Sequence, residues 1–176
     1  MKTLEDQLVQ YAAYHRDRRN IATHFVGIPL IMLGIAVLLS RPTLQFAGLS
    51  ASPLLAVVAA AAVFYVLLDL RLGLLMAAFL ALITWIGAWA ASLSTAAWLT
   101  LGTGSFVVGW VFQFVGHAWE GRKPAFVDDL AGLLIGPLFV AAEILFLLGL
   151  RDELRVAIEL RAGPTRGGRP GAATGA

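Results

Sequence analysis

No aspartate, glutamate, lysine or arginine occurs from Pro42 to Leu68, nor from Leu72 to Trp119. Only Asp69-Leu70-Arg71 interrupts this charge-free length of chain. A soluble domain carries about a quarter charged residues. Here they are 14%, against 59% apolar, so the chain is an integral membrane protein. At 176 residues it has room for one compact domain.

A membrane-spanning helix needs about 20 apolar residues, and the sequence divides accordingly. Residues 3–20 are expected to form an interfacial helix, because Leu4, Leu8, Tyr11 and Tyr14 recur at helical spacing. Thr3 and Asp6 supply a capping-box pair at its start. Apolar runs follow at Phe25–Ser40, Pro53–Leu68, Leu72–Ala91 and Ala96–Gly116. Arg41–Ser52 is read as a loop, and 117–132 as a polar excursion. A fifth run, Leu133–Leu150, contains Gly136-Pro137 and Glu143. The expected fold is an all-α, polytopic membrane helical bundle with four to five apolar segments plus the N-terminal interfacial helix. Residues 1–150 form its single membrane-embedded domain, and 151–176 a short helix followed by a disordered basic tail.

Four crossings return the chain to its starting side. His15 and His24 precede the first span and His117 follows the fourth, so all three histidines fall on one face. Arg16, Arg18, Arg19, Arg71, Arg122 and Lys123 fall there too, with Arg41 opposite. The positive-inside rule makes that face cytoplasmic. With an Ala- and Arg-rich composition, the expected location is a bacterial inner membrane. Glu5, Asp6 and Asp17 before the first apolar run do not suit a cleavable signal, so the first span carries the targeting information. The fifth run either crosses, which strands Arg151, Arg155 and Arg161 outside, or bends back at Pro137.

The absence of cysteine excludes disulfides, zinc-thiolate sites and thiol nucleophiles. The net charge of +2 arises mainly from arginines beside apolar segments, which indicates lipid contact and no nucleic acid. No G-x-S-x-G or H-E-x-x-H is present, and "GTGS" at 102–105 lacks the ending of a phosphate loop and instead suits close helix packing. Three imidazoles at one face can hold iron or zinc, or be simply tolerated at the interface. His15 and His24 are nine apart, about 180° around a continuous helix. To share a metal they need a chain break between Arg16 and Thr23, with Asn20 and Thr23 as candidate break residues, or two separate elements. Asn20 lies four before His24, and Gln113, His117 and Glu120 form one helical stripe. Glu120 is a ligand, a group orienting an imidazole, a base, or an acid paired with Arg122 or Lys123. Asp128 and Asp129 read as a helix N-terminal pair. Glu143 is costly in a membrane unless paired or protonated.

"YHRDRRNIATHFVGIPL", "QFVGHAWEGRKPA" and "GPLFVAAEILFLLG", in this order, resemble the 2-hydroxy-fatty-acid dioxygenase family over roughly residues 5–150. That resemblance implies a non-haem iron(II) (Fe2+) enzyme of fatty-acid α-oxidation. It would consume dioxygen and shorten a 2-hydroxy fatty acid by one carbon. It implies His15, His24 and His117 as iron ligands, and Asn20 and Glu120 as catalytic or supporting groups. Arg16, Arg18, Arg19, Arg122 or Lys123 would pair with the substrate carboxylate while the acyl chain lies among the spans. Two alternatives stand beside this reading. One is a zinc-dependent intramembrane lipid hydrolase with Glu120 as general base. The other is a non-catalytic, haem-binding or scaffolding membrane protein.

Overall fold

A computed structural model describes residues 2–46 and 48–167. Its elements are α1 (Leu4–Ala12), α2 (Arg18–Ser40), β1 (Leu44–Phe46), β2 (Leu49–Ala51), α3 (Pro53–Leu68), α4 (Leu70–Ala91), α5 (Thr95–Glu120), α6 (Gly132–Leu147) and α7 (Asp152–Ala162). A single 3-10 turn at Ala125–Val127 precedes α6. The all-α bundle is as expected, since apolar segments in lipid must satisfy their backbone internally. Helices α2, α4 and α5 are long and apolar enough to cross a membrane. Helix α3, with 16 residues, is shorter.

Local chemistry sets the helix starts. Thr3 and Asp6 form the capping box that opens α1. Asp17 caps α2 by accepting from Arg19 N–H at 2.8 Å, and Asp69 caps α4 by accepting from Leu72 N–H at 2.8 Å. Helix α5 ends on Gly121, whose left-handed φ of 70° an L side chain would disfavour. The segment read as a loop holds a small antiparallel hairpin pairing Leu44 with Ala51 and Gln45 with Ser50. Strands of three residues are too short to show an alternating pattern.

A glycine seam packs α2 against α5. Gly27 and Gly34 on α2, and Gly102, Gly109 and Gly116 on α5, recur every seven residues and so stay on one face. A Cβ on Gly34 would lie 2.7 Å from Gly102 O, and one on Gly109 2.7 Å from Gly27 O. One on Gly116 would lie 2.4 Å from Asn20 Oδ1. The helices are antiparallel, and the same register brings the start of α2 to the end of α5. Gly102, the first residue of "GTGS", belongs to this contact, whereas Gly104 faces open space.

The fifth apolar run does not traverse the bundle. At its start, Gln10 donates to Asp129 (3.2 Å) and Tyr14 to Asp128 (2.9 Å), both from the N-terminal region. At its end, Arg151 meets Asp69 in the α3–α4 turn at 2.9 Å. Both ends of α6 therefore sit at the histidine end, and residues 135–142 are buried continuously. Helix α6 continues through Pro137. The axis then turns by 118° into α7. There Arg161 pairs with Glu5 and Asp6 of α1 at 2.7 and 3.0 Å. Arg151, Arg155 and Arg161 thus share the end that holds Arg16.

The tail expected to be disordered from Gly163 departs from that reading over 163–167. Arg166 N–H donates to Arg16 O, Arg18 N–H donates to Arg166 O (3.1 Å), and the Arg16 guanidinium donates to Gly163 O (2.9 Å). Two of these are backbone–backbone bonds and the third is from a side chain, and composition encodes none of them. Residues 168–176 lie outside the described residues.

Candidate metal centre

The chain breaks between α1 and α2, at 13–17, and His15 sits in that break. This is earlier than anticipated. Asp17 restarts the helix, while Asn20 and Thr23 lie inside α2. His24 follows in the second turn of α2, and His117 lies in the last turn of α5. The glycine seam brings them together. The ring centroids of His15, His24 and His117 are 4.4, 4.9 and 5.2 Å apart. One ligand nitrogen from each lies within 4.8 Å of the others. Their exposures are 0%, 0% and 6%.

Hydrogen bonds assign two tautomers. His15 Nδ1 is 2.7 Å from Tyr11 O, and His24 Nδ1 is 2.8 Å from Asn20 O. A carbonyl only accepts, so each Nδ1 carries the proton and each Nε2 presents a lone pair. Yet those two Nε2 atoms face each other at 3.0 Å. Burial foremost, then the His24 imidazole, holds His15 well below its ordinary pKa, which keeps it neutral. Two lone pairs at this distance repel unless a cation lies between them. Imidazoles whose other nitrogen donates to a backbone carbonyl are the usual form of metal-bound histidine. The residues present therefore fit a metal ion with imidazole affinity, a class that includes iron and zinc. Tyr11 stacks flat on the His15 ring at 4.1 Å and fixes its plane.

Glu120 lies beside this group as an anchor. Its side chain is 1% exposed. Oε2 accepts from Arg16 N–H (3.0 Å), Asp17 N–H (2.7 Å) and Asn20 Nδ2 (3.1 Å). Oε1 accepts from Arg166. The carboxylate thus pins the break that carries His15 to the end of α5. Its cationic partner is Arg166, and not Arg122 or Lys123, the pairing that one of the alternative readings offered. Arg122 instead donates to Ala13 O at 2.9 Å, and Lys123 pairs with Asp128 at 2.5 Å. Arg19 pairs with Asp17 and lies over Trp119. The buried Arg16 guanidinium donates to Ala12 O and His15 O. These four candidate substrate cations are engaged elsewhere, and none lines the cavity described next.

An apolar cavity of about 350 Å3 lies between α2, α5 and α6 and reaches His117. Ile28, Met32, Ile35, Phe106 and Trp110 form its shaft, and Tyr11, Gln113 and His117 are at its polar end. Among the described residues, three buried side-chain atoms have no hydrogen bond, namely Asn20 Oδ1, Gln113 Nε2 and His117 Nδ1. Buried polar groups are nearly always paired, so the two orphans that line this cavity, on Gln113 and His117, mark a ligand site. The Gln113 amide fits against α2 because Gly27 lacks a Cβ, which would lie 2.4 Å from Nε2. Sequence reasoning saw Gln113 in the His117 stripe and Tyr11 in an apolar stripe, without assigning either to the site. A lone amide in a charge-free span was the available signal for Gln113.

A family model for 2-hydroxy-palmitic acid dioxygenase Mpo1-like proteins matches residues 1–148. The chain belongs to the Mpo1-like family. It is 34% identical over 160 residues to the 2-hydroxy-palmitic acid dioxygenase MPO1 of Saccharomyces cerevisiae, covering 89% of this chain and 87% of the yeast protein. No solved structure matches it. The Mpo1-like match spans α1 to α6 and so includes all three histidines, Glu120 and Gln113. Helix α7 and the segment that supplies Arg166 lie beyond it.

Proposed function

We propose that this chain is an iron(II)-dependent dioxygenase that shortens 2-hydroxy fatty acids by one carbon. The observation that carries this reading is the meeting of three buried imidazoles at the polar end of an apolar cavity. Membership of the Mpo1-like family supports the same substrate class. The stoichiometry closes on the two substrates alone. A 2-hydroxy acid and one dioxygen give the next shorter acid, carbon dioxide and water, with four electrons passing to oxygen.

His15, His24 and His117 would hold the iron, which supplies the redox chemistry with dioxygen that the side chains lack. Tyr11 O and Asn20 O keep the His15 and His24 tautomers correct. The cavity is of the usual size for a small-molecule site. Its shaft holds the acyl chain and excludes water. Gln113, four residues before His117, offers an amide N–H to the polar head. Glu120, together with Asn20, holds the break in place. The clamped carboxylate argues against a zinc hydrolase, because a general base needs a free oxygen near its proton donor. The mutual contact of the three imidazoles argues against a haem between them. Basic residues at the histidine end, with Arg41 opposite, favour an orientation with this end toward the cytoplasm.

The test is metal analysis and oxygen uptake on detergent-purified protein after anaerobic iron(II) loading, with 2-hydroxypalmitate as substrate. About one iron per chain and substrate-dependent uptake yielding the acid one carbon shorter are expected from the three-ligand site. Zinc retention without oxygen uptake would overturn the reading.

A further inference from the structure

A second cavity, of about 640 Å3, opens on the face of α2 turned away from the glycine seam. Ile21 and Phe25 of α2 and Phe146 of α6 give it an apolar floor. Arg18, Glu143, Arg155 and Glu159 give it a charged end. A small adjoining cavity shares Glu143, Arg155 and Glu159 and runs inward to the buried Arg16. None of the three histidines lines either space.

The charges at this end make few close ion pairs among the described residues, although the buried Arg16 lines the inner cavity beside Glu143 and Glu159. Among the described residues, Glu143, Glu159 and Arg18 join no salt bridge, and Arg155 has only the exposed Asp152 at 3.1 Å. Glu143 is half-buried on the otherwise apolar α6. A carboxylate in such a place is costly without a partner. The groove lies at one end of the spanning helices, where lipid headgroups gather. It offers two acceptors for a cation, two donors for an anion, and an apolar floor leading from them.

We propose that this groove binds one zwitterionic membrane phospholipid bearing a primary ammonium, of the phosphatidylethanolamine type. The ammonium meets Glu143 and Glu159, the phosphate meets Arg18 and Arg155, and an acyl chain lies over Phe25 and Phe146. A primary ammonium suits this end better than a quaternary one. It donates hydrogen bonds to carboxylates, which a quaternary ammonium, having no N–H, cannot do. The lipid would tie α2 to α6 and α7. The outer wall, from α7 and residues 164–165, lies beyond the part of the chain matched by the family model.

The test is native mass spectrometry of the full chain, purified in detergent and equilibrated with equal amounts of dioleoyl phosphatidylethanolamine, phosphatidylcholine and phosphatidylglycerol. One phosphatidylethanolamine per chain is expected, preferred over the other two by about tenfold or more, the range of charge-assisted hydrogen bonds. The E143Q/E159Q variant should lose that preference while keeping its helix content by circular dichroism, because neither carboxylate joins a salt bridge among the described residues. E159Q alone, on the outer helix, should lose part of it and serves if the double variant does not fold. Equal retention of the three lipids, or an unchanged preference in the glutamine variants, would overturn the proposal, as would a fatty acid in the groove. Loss of the lipid leaves the iron and oxygen assay to judge the dioxygenase reading separately.

Discussion

Replacing Glu120 by alanine removes the one acceptor shared by two backbone N–H groups and the Asn20 amide. The side chain is 1% exposed, so water does not readily take its place. Each orphaned backbone N–H costs about 1–3 kcal/mol, so the two from Arg16 and Asp17 together cost about 2–6 kcal/mol. The break carrying His15 moves to relieve that cost, and His15 leaves its position beside His24. E120A should therefore bind iron(II) about 10- to 100-fold more weakly, the usual effect of losing a group that orients metal ligands. E120Q is the discriminating variant. Its carbonyl oxygen can occupy the Oε2 position and keep all three donors, losing only Arg166. It should hold iron(II) nearly as well as the parent and keep most of its turnover, as should R166A. The assay is anaerobic iron(II) titration paired with oxygen uptake at saturating metal. An E120Q protein that binds iron fully yet is as inactive as E120A would refute the anchoring role and make Glu120 a reacting base.

Four further outcomes are expected. H15A, H24A and H117A should each lose bound iron and oxygen uptake while circular dichroism shows unchanged helix content; a fully active H24A protein would remove His24 from the ligand set. G109L should fail to fold or unfold at much lower temperature, because even its Cβ would sit 2.7 Å from Gly27 O; G104A, facing open space, should melt like the parent. Q113L removes an amide without a hydrogen bond, so it should not lower the melting temperature. It should raise KM for the 2-hydroxy acid and weaken discrimination against the unhydroxylated acid, both read from initial rates. For Asp69, burial raises the carboxyl pKa, but hydrogen bonds from Arg151 and Leu72 N–H outweigh it and hold the value below the ordinary 3.8. Its stabilisation is then present above pH 3.8 and lost as pH falls through the lower folded value. Hydrogen exchange at the α6–α7 junction should rise in that acid range in the parent, and the D69N protein should lack that dependence.

Transfer into hydrocarbon is costly for each charged residue separately, so the charge-free runs alone marked the apolar segments, and Pro53–Leu68 coincides with α3. Counting crossings then placed His15, His24 and His117 at one end, because the parity of spans needs no packing information. The nine-residue spacing also meant that the first two could share a metal only across a chain break or from two separate elements. The seam at Gly27, Gly34, Gly102, Gly109 and Gly116 was written in seven-residue intervals, but nothing local says which face meets which. The fate of Leu133–Leu150 was open for a related reason. A helix buried in protein and one facing lipid are equally apolar, and only Gln10, Tyr14 and Asp69 at its two ends decide that it turns back. Glu120 shows the same limit most sharply. Its partners Arg16, Asp17 and Asn20 stand 104, 103 and 100 residues away, so its role depended on a register that only the packed α2–α5 pair could set.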